Sequence, residues 1–256
     1  MDNRHTAVIR RVVVALALSF IAAGAHASGD GDQLAPAGND VDNIQSLQRG
    51  ASNFINYCSG CHSAEYVRYN TIARDLGLSE DQLLNNLMFN ADKTFEPIVA
   101  SMRGTDAARW FGRQPPDLSL RARAKGTDYI YNLLKSFYID PDSPTGVDNH
   151  VLNGTSMPHV LWELQGLQKA VFVDEPVVGQ EGVTRPVFEK FEFVTEGTMT
   201  ADEFDDFVRD TANFLEYIAE PERSVRRKVG VWVIMYLIFF LIIASMLKKQ
   251  IWKDVS

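Results

Sequence analysis

Residues 54–63 read FINYCSGCHS, and the five at the centre, Cys58-Ser59-Gly60-Cys61-His62, decide how the rest of the chain is read. On one helical turn, residues i and i+3 project to the same side. The two thiols can therefore add to the two vinyl groups along one haem edge, and the next residue, His62, falls beneath the ring where its imidazole can ligate iron. Cys-x-x-Cys-His is the attachment pattern of a c-type haem. Ser59 and Gly60 are small and leave the backbone room to lie against the porphyrin. Three other readings compete. A dithiol redox pair belongs near a βαβ pattern, and the surroundings here are helical. A zinc site wants a second ligand pair, and the chain has two cysteines in all. A Cys58–Cys61 disulfide is compatible only with the chain before haem attachment.

Working outward, Ile44, Leu47, Ala51, Phe54, Tyr57 and Cys61 recur at helical spacing, so a helix runs into the cysteines. Ser79 and Gln82 have capping-box spacing ahead of an apolar face made by Leu83, Leu84, Leu87 and Met88. A further helix is predicted from Asp128 to Phe137, with Ile130, Leu133, Leu134 and Phe137 inward. Residues 139–158 (IDPDSPTGVDNHVLNGTSMP) have no periodicity and many turn formers, so they form a long loop of the kind that carries function in compact domains. Val- and Phe-rich stretches over 171–195, broken by Gly and Pro, predict a small hairpin. A last helix starts at Thr200 with Glu203 as its capping partner, turns Phe204, Phe207, Val208, Leu215 and Ile218 inward, and stops at Pro221. The fold class is mainly α, a c-type haem domain with long loops and a small hairpin.

The iron needs a second axial ligand. Candidates are Met88, Met102, Met157, Met199, His150 and His159. Met88 sits on an apolar helical face and reads as core; Met102 beside Arg103 and Met199 before a helix cap have no ligand context. Met157 lies in the long loop, where Pro158 biases it towards extended backbone and a fixed outward side chain. His159 competes with it. A His/Met pair raises the reduction potential and suits electron transfer, and a closed six-coordinate iron leaves no position for substrate. The 95 residues from His62 to Met157 require extra structure between the ligands.

The two ends differ from the middle. Of 256 residues, 46% are apolar and 11% aromatic, which supports a real core and excludes wholesale disorder. The formal charge of -8 argues against a nucleic-acid partner. Arg4, Arg10 and Arg11 precede an apolar run from Val12 to Ala23 and then Ala25-His26-Ala27, so residues 1–27 read as a signal peptide. That run spans only about 18 Å as a helix, too short for a bilayer. Residues 229–247 (VGVWVIMYLIFFLIIASML) hold no charge and span roughly 28 Å, so they read as one C-terminal transmembrane helix. Basic residues flank both its sides, so their bias does not orient it. The signal peptide does: residues 28–228 are exported to the periplasm and 248–256 stay cytoplasmic, a single-pass protein of the bacterial inner membrane. Residues 1–27 carry +2, 223–228 carry +4 and 248–256 carry +2, which leaves -16 on residues 28–222. Residues 28–41 read as a flexible leader.

An ordered set of motifs then matches a family. The set is CSGCHS, Pro115-Pro116-Asp117-Leu118-Ser119, Arg121-Ala122-Arg123 with Asp128-Tyr129, Pro144-Thr145-Gly146, a late Met157-Pro158, and Ala219-Glu220-Pro221-Glu222 before one anchor. The chain resembles cytochrome c1, the membrane-bound haem subunit of bacterial ubiquinol–cytochrome c reductase, over nearly all of its length from about residue 45. The resemblance implies one covalently attached haem c, with Cys58 and Cys61 as thioethers, His62 as proximal ligand and Met157 as distal ligand. The family pattern is often apolar or Pro-containing where this chain has His159 and Val160. Arg123 and Tyr129 resemble a pair that contacts a haem propionate, and Pro115 and Pro116 a stretch that packs on the haem.

What the resemblance implies for function is a relay. The Rieske iron–sulfur protein, reduced by quinol oxidation in cytochrome b, passes one electron to this haem, and a soluble or tethered cytochrome c takes it, within a dimeric complex. The acidic body suits a basic acceptor. Two other classes compete: a free-standing membrane-anchored cytochrome serving an oxidase or other reductase, and a non-haem redox or metal-binding module.

Overall fold

The computed structural model describes residues 34–176 and 184–254; the expected signal peptide lies outside them. Helix α1 (Ile44–Tyr57) begins where the Asn43 side chain accepts from the Ser46 N–H, and it ends at Cys58, as its apolar spacing predicts. Strand β1 (Ala64–Arg68) and helix α2 (Tyr69–Leu76) follow. Helix α3 (Glu80–Asn86) opens on the Ser79–Gln82 capping box with both halves made. Its Leu83 and the following Leu87 and Met88 are buried, but Leu84 faces out. Strand β2 (Pro97–Ile98) pairs antiparallel with β1, and helices α4 (Gly104–Phe111), α5 (Arg121–Lys125) and α6 (Thr127–Lys135) come next. Helix α6 stops two residues before the expected end. Phe137 points inward as predicted, but from strand β3 (Phe137–Ile139), which pairs antiparallel with β4 (Val147–Asn149). The expected loop over 139–158 therefore has a two-stranded ladder at its root.

Helix α7 (Trp162–Gln165) leads into a hairpin of β5 (Gly166–Pro176) and β6 (Thr184–Glu196), longer than the stretch the sequence marks. Helix α8 (Ala201–Ala219) starts with the Thr200–Glu203 capping box, and α9 (Arg223–Ile251) follows after the three-residue break Glu220-Pro221-Glu222. The fold class is as expected: helices dominate, the sheets are two-stranded, and one long apolar helix closes the chain.

Helices α1 and α8 meet face to face at Gly50. A Cβ there would stand 2.1 Å from the Asp210 carbonyl oxygen and 2.7 Å from Phe214 Cβ, so only hydrogen permits the approach. Phe54 packs on Phe214 at 5.7 Å and Tyr57 edge-on to Phe207 at 5.3 Å. A polar seam closes the other end of the crossing. Buried Asp210 accepts from Ser46 Oγ (2.6 Å) and Arg49 Nε (2.5 Å), while Asn213 donates to Ser46 Oγ and the Asp40 carbonyl. Residues 35–41, expected to be a flexible leader, are instead pinned across α6 and α8. Ala37 is buried, its N–H donates to Asp128 (2.8 Å) and its carbonyl accepts from Arg209 (3.0 Å). Small residues read as a linker by composition, but here Ala37 is buried and its backbone ties the segment to both helices.

The basic cluster ahead of the apolar helix is partly spoken for. Arg223 pairs with Glu216, Arg226 with Glu220, and Ser224 Oγ donates to Asp42. These contacts fasten the start of α9 to the end of α8. Beyond them, none of the apolar side chains of α9 is buried by the protein itself. Its length and composition suit a membrane span.

Candidate haem-binding site

The Cys-x-x-Cys-His segment is a helical turn continuing α1. The Cys58 and Ser59 N–H groups both donate to the Phe54 carbonyl, and the Cys58 carbonyl accepts from Cys61 (3.1 Å) and His62 (2.8 Å). Both thiols therefore belong to one turn, as their spacing predicts. Ser59 is turned inward, its hydroxyl donating to the Ile55 carbonyl at 2.7 Å, so its small size serves burial beneath α1. Gly60 stays open, with nothing near a would-be Cβ.

The segment around Pro115 and Pro116 orients His62. His62 Nδ1 lies 2.7 Å from the Pro116 carbonyl oxygen, to which it can only donate. That contact fixes the tautomer and leaves Nε2 with a free lone pair, the state a metal requires. Burial lowers the imidazole pKa, with the Pro116 contact opposing it, so the ring is neutral at pH 7. The carbonyl is aimed by residues the sequence marked only as part of a motif. The Asp117 carboxylate accepts from the Glu65 and Ser119 N–H groups, both at 2.8 Å; fully buried Ser119 accepts from the Tyr66 N–H; and the Leu118 N–H donates to the Ser63 carbonyl. Residues 115–119 are thereby zipped to residues 62–66.

A cleft of about 320 Å³ opens beside this turn, lined among others by Cys61, Pro115, Met102 and Val99. Met102, which sequence context set aside, is brought there because its N–H donates to the Gly60 carbonyl. Both thiols are free. Burial, with the neighbouring Cys61, pushes the Cys58 thiol up to about 12, and burial raises Cys61 as well. A redox dithiol depends on a lowered thiol pKa, so this pair is chemically the reverse. Two protonated thiols and one imidazole with an open Nε2, on one turn beside a cleft of mixed polar and apolar lining, fit covalent haem.

The Met157 loop leaves β4. Buried Asp148 accepts through Oδ1 from the N–H groups of Asn149, Gly154 and Thr155, and buried Asn149 accepts from those of Val151 and Leu152. The Met157 N–H donates to Thr155 Oγ1 at 3.2 Å, and its side chain is half-buried against the core that Cys58 and Tyr129 also touch. His159 is committed elsewhere. It is buried, stacked on Phe137 at 5.0 Å and 6°, and desolvation lowers its pKa to about 4. Gln165 and the Gly166 backbone lie close enough to favour its proton, yet neither ring nitrogen makes a hydrogen bond of normal geometry. His150 packs on Phe188 of the hairpin, Met88 is core as expected, and Met199 packs against the core.

Cys58, Cys61, His62, Pro115 and Pro116 thus come together. Tyr129 lies half-buried on α6 with the Lys125 ammonium over its ring. Arg123 lines a different cavity of about 710 Å³ at the anchor junction, near Glu220, and is not among the residues lining the cleft beside Cys61.

Residues 39–255 match the Cytochrome C1 family. The chain belongs to that family. It is 42% identical to a cytochrome c1 from Allochromatium vinosum over 96% of this chain and all of that one. It is 40% identical to a protein named ammonia monooxygenase gamma subunit from Nitrosomonas europaea, over 90% of this chain and 92% of that one, and 29% identical to a Rhodospirillum rubrum cytochrome c1 over 82% of each. Cytochrome c1 proteins carry a covalently bound haem c and serve as the haem electron-transfer subunit of the cytochrome bc1 complex, whose other redox subunits are cytochrome b and the Rieske protein. The long apolar helix α9 fits the single-pass anchor of a bacterial member.

Proposed function

We propose that this chain takes one electron from the Rieske iron–sulfur protein and hands it to a soluble or tethered cytochrome c, as the periplasmic haem subunit of a dimeric quinol–cytochrome c reductase. In this reading residues 1–27 are removed on export, 28–228 lie in the periplasm, 229–247 cross the inner membrane and 248–256 remain cytoplasmic. Cys58 and Cys61 hold the haem by thioethers, His62 is its proximal ligand and Met157 its distal one, Arg123 and Tyr129 meet a propionate, and Pro115 and Pro116 pack on the ring. The bound haem would supply reversible one-electron transfer. The observation that carries the reading is the His62 Nδ1 contact to the Pro116 carbonyl, which keeps Nε2 bare beside two free thiols.

The protein's work is to hold and to insulate. The Asp117 and Ser119 contacts fix the Pro116 carbonyl, which fixes the imidazole plane and increases its basicity. The Asp148 and Asn149 contacts hold the distal loop before any ligand bond is made. With His62 and Met157 both held for the iron, no position would remain for a substrate, so the chain would transfer electrons without binding one, which is the sense in which it is part of an enzyme.

Purification in mild detergent with a haem spectrum tests this. Co-migration of a low-spin c-type haem with a cytochrome b and an iron–sulfur protein is expected. A lone haem protein would favour the free-standing shuttle. The name of the Nitrosomonas relative raises a second reading, an electron-delivery subunit of a monooxygenase, and co-migration with monooxygenase subunits would favour that. A colourless product lacking haem mass would overturn all three.

A further inference from the structure

We infer that His159 is a positioning residue for the Met157 sulfur, and that its ring nitrogen and Gln165 Oε1 form a latch that closes when Met157 takes its place on iron. The inference rests on Met157 being the distal ligand. Among the described residues, the buried side-chain polar atoms without a hydrogen-bond partner are three: both ring nitrogens of His159 and Oε1 of Gln165. They belong to two side chains that face one another, and buried polar groups normally find partners. Leaving them unpaired is costly, and a phenylalanine at 159 would stack on Phe137 without that cost. An imidazole N–H donating to Oε1 would pair two of these three atoms.

The latch is built where it can act on Met157. Asn149, the last residue of β4, is the cross-strand partner of Phe137, the same ring on which His159 stacks. The loop therefore leaves and returns on one rung. Its outgoing side is held as far as Thr155 by Asp148 and Asn149. Its returning side is held at His159. Between Thr155 and His159 only Ser156, Met157 and Pro158 remain, and the proline ring fixes its own φ. Gln165 is itself anchored, its Nε2 donating to the Lys135 carbonyl at 2.9 Å, so the acceptor does not drift. Closing the latch confines Met157 to a short tether between two fixed points, which strengthens a ligand bond by pre-organisation rather than by a new contact.

The test uses the intact, haem-loaded membrane complex. In His159→Phe, which keeps the stacked ring and loses the N–H, the reduction potential should fall. The ferric sulfur-to-iron charge-transfer band should weaken, and the ferrous protein should take up carbon monoxide at least about tenfold more readily. Gln165→Leu should act in the same direction, and His159→Gln, which retains an N–H donor, should restore part of the loss. Unchanged potential, band and carbon monoxide exclusion in His159→Phe would overturn the latch. Should neither variant load haem, an experimental structure of the loaded wild type decides: a His159 nitrogen within about 3.2 Å of Gln165 Oε1 supports it and a longer separation overturns it. Met157→Ala separates the two levels, since an unchanged band there would remove the ligand assignment itself.

Discussion

A single carboxylate ties down the segment whose carbonyl orients His62. Asp117 directly follows Pro116, whose carbonyl His62 contacts, and each of its oxygens accepts a backbone N–H from a different segment. Asp117→Ala would leave the Glu65 and Ser119 N–H groups unpaired and free the Pro116 carbonyl to swing. Hydrogen bonds to a charged acceptor are worth about 1.5–3 kcal/mol each, so a loss of roughly 3 kcal/mol in thermal unfolding is expected, with a shifted potential in any protein that loads haem. A variant that melts lower but keeps its potential would mean that Asp117 stabilises without orienting. Across the ring, Met157→Ala should lower the potential by on the order of 0.1 V within the ~0.8 V that axial ligands span. If His159→Ala abolished the charge-transfer band while Met157→Ala did not, the ligand would be the histidine.

At the scale of elements, the α1–α8 crossing fixes where the attachment turn sits. Gly50→Ala gains up to about 1 kcal/mol of helix propensity, but a methyl 2.1 Å from a backbone oxygen cannot be absorbed by a rotamer change. Overpacking of about 3 kcal/mol wins, and the melting temperature should fall by roughly 4–8 °C. Helices α6 and α8 are joined differently, by Tyr131, Lys135 and Arg209 around Asp205. Burial pushes the Asp205 pKa up, but the hydrogen bonds from Lys135 and Tyr131 outweigh it and hold the carboxyl below its ordinary 3.8. The unfolded chain then binds the proton first as pH falls. The stabilisation is complete above about pH 5 and is lost on acidification through 3.8 towards the folded value. Asp205→Asn should flatten that part of the stability–pH curve, as acid titration of the melting temperature would reveal. What the sequence conveyed at this scale follows from signal length. The long helices α1, α8 and α9 and both capping boxes were legible, because many periodic residues or a fixed spacing mark each. Helices α2, α4, α5 and α7 have eight residues or fewer, too few turns to display a period. The site divides likewise: Cys58, Cys61 and His62 announce themselves, whereas Asp148, Asn149 and Asp117 act by accepting backbone N–H groups from residues brought near only by the fold. Residues 35–41 misled because a strap pinned by hydrogen bonds across two helices and a flexible leader share one composition.

Over the whole molecule, charge is divided by position. Residues 28–222 carry -16, while the stretch before the apolar helix carries +4 and the stretch after it +2. Several acids of α8 and its junction are neutralised in place, Asp210 by Arg49, Glu216 by Arg223 and Glu220 by Arg226, but paired charges cancel in the sum and the excess remains. An acidic surface that only kept the domain dissolved would leave electron delivery indifferent to salt. One that steers a basic cytochrome c would act over the Debye length, about 10 Å at 0.1 M salt, and raise the encounter rate by one to three powers of ten when unscreened. The second-order rate of acceptor reduction by the purified complex should therefore drop by about tenfold or more as ionic strength is raised from about 0.01 M to several tenths molar, where the Debye length shrinks several-fold. An uncharged electron acceptor in the same assay should react at a constant rate, which separates weakened docking from a damaged haem. A rate for the basic acceptor that stays flat across that range would remove steering by charge from the account.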